Sequence, residues 1–288
     1  MTSDQRGVAF MVAAVTVFAL QDGVSKLLAT NHAPVFVVMI RYWAFAAFVL
    51  AISARRPGGI RAAARSRRPL AQIFRGLLLG AQIVLMTASF VILGLAESQA
   101  VMALYPLLIV GLGAVALGER VAPAQWAAVG LGFLGVLILL RPGFGVFDPA
   151  ALLPLLGAFM FATYGILTRW VGRSDPPAVS FFYTGVAGAA GLTLVGPFFM
   201  SAMTPAETAW MALLCVLGAS GHYLLIKAYE QAEASLLQPY AYLQLVLVSI
   251  IGASFFGEVI DAPLVLGSAV VVGAGLFALL RTRRRATT

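Results

Sequence analysis

The sequence predicts an all-α integral membrane protein: ten transmembrane helices arranged as two inverted five-helix repeats. Three observations carry this expectation. Hydrophobic residues make up 61% of the 288 and charged residues only 10%, whereas a soluble domain carries about a quarter charged residues. Apolar runs of spanning length recur between charges, prolines and glycines. Segments of the first half of the chain reappear, in order, in the second.

The first observation sets the solvent. A soluble fold has too little interior to hide so much apolar surface, so lipid must cover most of this chain. The net charge of +8 does not point to nucleic acid. Seventeen of the 19 basic residues are Arg, and most gather at 54–69 and 281–285, where they read as topology signals beside membrane spans. The single Cys215 offers no disulfide or metal cluster. No cofactor and no nucleic acid are expected as partners. A lipid bilayer and a small-molecule substrate are.

A spanning helix needs about 20 mostly apolar residues. Runs of that kind lie at 7–28, 34–53, 72–94, 98–117, 122–140, 150–170, 177–199, 207–229, 234–256 and 262–280. With the N-terminus inside, 16 of the 19 basic residues fall on one face. This predicts a multi-pass membrane protein with both termini cytoplasmic.

The repeat is read from aligned pairs. "FALQDGVSKL" (18–27) matches "FATYGILTRW" (161–170), and the same offset pairs Pro34 with Pro177. Further on, "LGER" (117–120) matches "FGEV" (256–259), which sets Glu119 opposite Glu258. The units are 1–143 and 144–288. Five spans is an odd number, so the second unit enters the membrane upside down. Inverted repeats are a recurring plan of secondary transporters, with the substrate near the midplane between them.

The chain here resembles the EamA-type ten-helix branch of the drug/metabolite transporter superfamily. The resemblance covers nearly the whole chain. It is carried by "AESQAVMALYPLLIVGLGAVALGERVAPAQWAAVGLGFLGV" (96–136), with Pro106 and Glu119, and by "ASLLQPYAYLQLVLVSIIGASFFGEVID" (234–261), with Pro239, Tyr242, Gln244 and Glu258. The spacing from Pro to Glu differs between the two, 13 against 19. "DGVSK" with Pro34 and Arg41 also looks like a pattern of the family's first repeat. The resemblance implies export or exchange of small metabolites across a bacterial inner membrane, most often amino acids, as in YddG-like amino-acid exporters. It implies no enzyme activity. A membrane-embedded enzyme or a passive channel are the alternatives, and no HExxH, GxSxG or nucleotide motif supports the first.

Candidate site residues are the polar groups inside the spans, where each ionisable group costs about 2.5–3.5 kcal/mol or more. Asp22 and Lys26 share one helical face, one turn apart. Arg41 lies about 10 Å below Pro34 along the next span. Together they are expected to form a cluster of net charge +1, with Asp22 partnered by Lys26 or Arg41. Such a cluster can lock two helices or serve as a gate. In the second unit Asp22 corresponds to Gly165 and Arg41 to Thr184, so the fold itself requires neither. His222 could couple transport to protons; a neutral His bonded to a carbonyl or Tyr is the favoured reading. Gln21, Tyr105, Tyr242 and Gln244 complete the expected cavity, the two tyrosines beside prolines where a kinked helix could free carbonyls to line it. Glu119 and Glu258 are expected to serve helix termination and loop hydrogen bonding. Energy would come from a proton or other gradient.

Overall fold

Local chemistry starts the first helix. Thr2 caps α1 (Ser3–Ala29): its hydroxyl accepts from the Gln5 N–H at 3.2 Å, and Gln5 Oε1 accepts from the Thr2 N–H at 2.9 Å. The reciprocal pair satisfies two amides that a helix start would leave orphaned. A four-residue turn leads to α2 (Pro34–Ala54), opened by Pro34, whose missing N–H costs nothing in a first turn. The arginine-rich connection carries a short helix, α3 (Gly59–Ala63), before α4 (Pro69–Ile92). The computed structural model describes residues 2–118, 123–140, 149–232 and 234–286, and among these all regular structure is helical. Glu119, Arg120 and Arg141 lie outside the described residues.

The fourth apolar run, expected as one helix over 98–117, forms two: α5 (Leu95–Met102) and α6 (Tyr105–Leu117). Pro106 has no N–H to offer and its ring clashes with the carbonyl four residues back, so the chain breaks just before it. The ninth run divides likewise into α11 (Ala234–Ala241) and α12 (Leu243–Phe256), but Pro239 sits inside α11 and the break falls after it, at Tyr242. Both second halves end on a left-handed glycine, Gly118 and Gly257, each with φ 65°. Each donates its N–H five residues back, to Gly113 and Gly252. A residue with a Cβ would be strained at either turn.

The remaining helices are α7 (Pro123–Leu140), α8 (Leu152–Gly172), α9 (Pro177–Val195), α10 (Pro205–Gln231) and α13 (Ala262–Ala286). α10 begins with a second capping box, Thr204 with Glu207. Eight helical segments among the described residues are long and apolar enough to cross a membrane. Two further apolar stretches, Gln125–Leu139 of α7 and Ala262–Phe277 of α13, are shorter.

Packing follows a swapped pattern. α1 lies against α10 as α4 lies against α8; α1 meets α12 as α8 meets α6; α2 meets α10 as α9 meets α4. α7 and α13 pack on each other, and their backbones touch at two glycines. A Cβ on Gly267 would stand 2.7 Å from the Gly135 carbonyl oxygen, and one on Gly135 2.9 Å from that of Gly267. Small residues allow this approach where lipid supplies no hydrophobic drive between helices.

Candidate substrate cavity and its charge cluster

Lys26 and Asp175 mark opposite ends of the bundle. Lys26 stands beside the α1–α2 turn. Asp175, in the α8–α9 turn, is tied to the connection beyond the far end of α2, a helix of 21 residues, or about 30 Å.

At the Asp175 end the carboxylate accepts from Ser66 Oγ at 2.5 Å, the Arg67 N–H at 2.8 Å and Gln72 Nε2 at 2.9 Å. The arginine-rich connection is thus fastened to the α8–α9 turn. Tyr183 adds a bond to the Ala64 carbonyl at 2.9 Å. Burial pushes the Asp175 carboxyl up, but the bonds from Gln72, Ser66 and Arg67, with the Arg67 charge, outweigh it and hold the group below the usual carboxylate range. Its folded value being the lower one, the clamp's contribution is complete above the ordinary carboxylate value and fades as pH falls through the folded value. The protection factor of the Arg67 amide, its exchange rate relative to an unprotected amide at the same pH, should therefore fall only on strong acidification. Asp175→Asn should lower it at neutral pH and flatten its acid dependence.

From this turn a cavity of about 420 Å³ runs between α4, α8 and α9 to His222 on α10. Its walls are aromatic and hydroxylic: Phe45, Phe181, Tyr164, Thr168 and Thr184 among them. Arg75 also lines it. Arg75 is one of the 16 basic residues that the charge pattern assigns to the cytoplasmic face, yet it is 1% exposed. A signal was present: Arg75 falls inside the apolar run 72–94.

The cavity ends at His222, and the expected hydrogen bond to a carbonyl or Tyr is not made. His222 has no hydrogen-bond partner among the described residues. Its ring packs on Phe45 at 4.8 Å and on Phe18 at 5.4 Å, while neighbouring Tyr223 points outward and is exposed. Phe18 and Phe45 each lie one turn from a charged residue, Asp22 on α1 and Arg41 on α2, so the same faces carry the cluster onward. Arg41 is within electrostatic reach of both Asp22 and His222. Arg41 and Gln21 both border Gly218 of α10, and Gln21 Oε1 is buried without a hydrogen-bond partner among the described residues.

Asp22 and Lys26 do not pair, which corrects the expected cluster. Asp22 Oδ2 accepts from Gln99 Nε2 of α5 at 2.7 Å and Gln244 Nε2 of α12 at 2.9 Å. Lys26, one turn further along, reaches Glu258 instead, Nζ to Oε1 at 2.5 Å, with Phe256 under its ammonium at 4.7 Å. A shared helical face fixes which side a residue presents, not which neighbour lies there. Glu258 also accepts from the N–H groups of Leu95 and Ala96, at 2.6 and 3.1 Å. It thereby caps α5, where a carboxylate meets unsatisfied amides and the positive end of the helix dipole. Gly94, at φ 99°, is required there: a Cβ would lie 2.9 Å from the Glu258 carboxyl carbon.

Tyr105 and Tyr242 stand apart from this chain of groups. Tyr105 packs edge-on against Phe161 at 4.8 Å. The Tyr242 hydroxyl is buried without a hydrogen-bond partner among the described residues, facing Gly275 of α13. Sequence reasoning missed Gln99, Glu258 as Lys26's partner, Arg75 and Asp175.

Comparison with known proteins places this arrangement. The model of the EamA-like transporter family matches residues 5–141 and 148–280. An S-adenosylmethionine uptake transporter of Rickettsia prowazekii is 27% identical over 282 residues, covering 96% of this chain and 94% of that protein. A riboflavin transporter of Rhizobium johnstonii is 30% identical over 285 residues, covering 97% and 92%. A solved crystal structure shares the fold with a TM-score of 0.62 over 98% of each chain, at 21% identity. With both halves of the chain matched by its model, the protein belongs to the EamA-like transporter family and is a secondary transporter of small metabolites.

Proposed function

We propose that the chain moves a ring-bearing metabolite, larger than a single amino acid, by alternating access between two inverted five-helix units. The observation that carries the reading is the cavity of about 420 Å³ with aromatic walls, leading to a charge cluster. Pockets of about 300–1,000 Å³ suit ligands of drug size, and a lone amino acid would leave much of this one unfilled. Expected amino-acid export therefore gives way to the substrate classes in the names of the relatives, S-adenosylmethionine and riboflavin. Those names also favour transport over a membrane-embedded enzyme.

The swapped packing of α1–α6 and α8–α12 supports the inverted repeat. The shorter apolar stretches within α7 and α13 make up ten spans when counted with the eight long segments. The cavity lies toward the Asp175 end, and Lys26–Glu258 closes the other. With the arginine-rich segments cytoplasmic, this is an inward-facing arrangement whose outer gate is the Lys26–Glu258–α5 contact. Asp22, clasped by one residue from each broken span, is the element both units would feel at once. Arg41, Gln21, Gln244 and His222 form the passage between cavity and gate.

Counterflow in proteoliposomes tests the reading. Saturable uptake of labelled riboflavin or S-adenosylmethionine against an internal load, with little counterflow of single amino acids, is the expected result. Brisk amino-acid counterflow with neither ring compound would overturn the substrate class. Unsaturable leak would indicate a channel.

A further inference from the structure

We propose that the cavity recognises a ring compound that carries an oxyanion, a carboxylate or a phosphate, with the anion held at Arg75 and Tyr164 and the ring beside His222, Phe45 and Phe181. The inference deepens the transport reading and takes its physiological meaning from it.

Arg75 is the anchor. Removing a guanidinium from water costs several kcal/mol after relaxation, and a structural arginine normally recovers this from a carboxylate. Arg75 has no ion-pair partner among the described residues. Its contacts are neutral: Nε to Gln72 Oε1 at 3.2 Å, Nη1 to Thr168 Oγ1 at 3.2 Å, and Nη2 to Thr184 Oγ1 at 2.9 Å and to the Ser180 carbonyl. The nearest candidate acid, Asp175, is held off by one amide. Gln72 donates to it from Nε2 while accepting from Arg75 on Oε1, and Ser66 and Arg67 occupy the rest of the carboxylate. A positive charge therefore sits in the cavity wall with its compensation missing.

The geometry also leaves a donor for the compensating group at the buried edge of the cavity. The four bonds of Arg75 are one fewer than its N–H groups allow, and the unused donor is on Nη1. The Thr168 and Thr184 hydroxyls donate to the carbonyls of Tyr164 and Ser180, at 2.7 and 2.8 Å. Their oxygens are thus fixed as acceptors that aim the guanidinium. The Tyr164 ring lies over the guanidinium at 4.9 Å, and its hydroxyl is 3.5 Å from Thr184 Oγ1, too long to hold its proton. That hydroxyl and the spare N–H are two donors for one oxyanion, and the low-dielectric wall strengthens both.

At the other end the wall is made for a flat ring. Phe45 lies tilted against His222 at 4.8 Å and 33°, and meets Phe181 edge-on at 5.5 Å. The imidazole nitrogens, with no protein partner among the described residues, can bond a ring heteroatom.

The test uses the full chain in lipid nanodiscs and matched pairs of probes. Indole-3-acetate against indole-3-acetamide isolates a carboxylate; riboflavin 5′-phosphate against riboflavin isolates a phosphate. In at least one pair the oxyanion member should bind tenfold or more tightly, and the pair that shows it names the anion. Arg75→Gln should reduce that ratio to near one while sparing the neutral probe. Tyr164→Phe, which removes only a hydroxyl, should reduce it severalfold. Equal affinities within both pairs in the wild type, no binding by any probe, or a preference that survives Arg75→Gln overturns the proposal. If Arg75→Gln fails to fold, the wild-type ratios and Tyr164→Phe decide. Counterflow separates the two readings: transport of ring compounds without oxyanion preference sinks this inference alone, while oxyanion-selective binding without counterflow sinks the transport reading alone.

Discussion

Asp22→Asn should lower counterflow at least about tenfold while leaving the amount of folded protein and its melting temperature nearly unchanged. Both Gln99 and Gln244 donate to a single oxygen, Oδ2. An asparagine can present its carbonyl oxygen to the same two amides, so the shape of the junction survives and only the charge is lost. A tenfold change corresponds to about 1.4 kcal/mol, which is small for a charge acting in a low-dielectric interior. Asp22→Leu should lose the hydrogen bonds too, stranding two amides at about 1–3 kcal/mol each, and should melt earlier. Full transport by Asp22→Asn would reduce the carboxylate to a structural brace.

Glu258→Ala should open the Lys26 end. The substitution strands a part-buried ammonium and two amides of α5 at one stroke, a cost toward the lower end of that for a fully buried pair. Breaking a buried pair by removing one partner costs about 3–5 kcal/mol, enough to shift an equilibrium about a hundredfold or more. The measurement is the reaction of a Ser98→Cys probe, made in a Cys215→Ser background, with an impermeant maleimide applied from the Lys26 side. Ser98 is fully buried just inside the contact. Labelling should be slow in the parent and at least tenfold faster after Glu258→Ala. Lys26→Met combined with Glu258→Gln should restore slow labelling in part, because no charge is then left unpaired. Unchanged labelling in Glu258→Ala would mean that this contact is not what closes that end.

Much of the fold was legible because it rests on local rules. Apolar runs marked the helices, prolines marked their starts, and Pro106 marked a kink in the fourth run where the chain in fact divides into α5 and α6. The break at Tyr242 was less legible, since it falls after Pro239 and depends on what α12 packs against. The site was legible in kind but not in pairing. Asp22 stood out as an anomalous charge, and it does occupy a junction. Its partners come from residues 99 and 244, brought to it by tertiary packing that no spacing encodes. Glu258 looked like a helix-end residue, and it does follow the left-handed Gly257. Its second role needs Leu95, more than 160 residues earlier. Arg75 was hidden by company: six arginines precede it between residues 55 and 68, and a run of like charges reads as solvated even where its last member enters the span.

The clasp on Asp22 also sets a titratable group inside a membrane span, where a transmembrane voltage acts on charge. Carrying one elementary charge through the membrane potential is worth about 2.3 kcal/mol per 100 mV. A carboxylate inside the span, joined at once to both broken helices, sits within that field. A cycle in which Asp22 takes a proton from one side and releases it to the other, with no compensating charge on the substrate, carries current, and its turnover rises or falls with voltage. Patch-clamp or valinomycin-clamped vesicles would read this directly, and Asp22→Asn should remove the voltage dependence along with the flux.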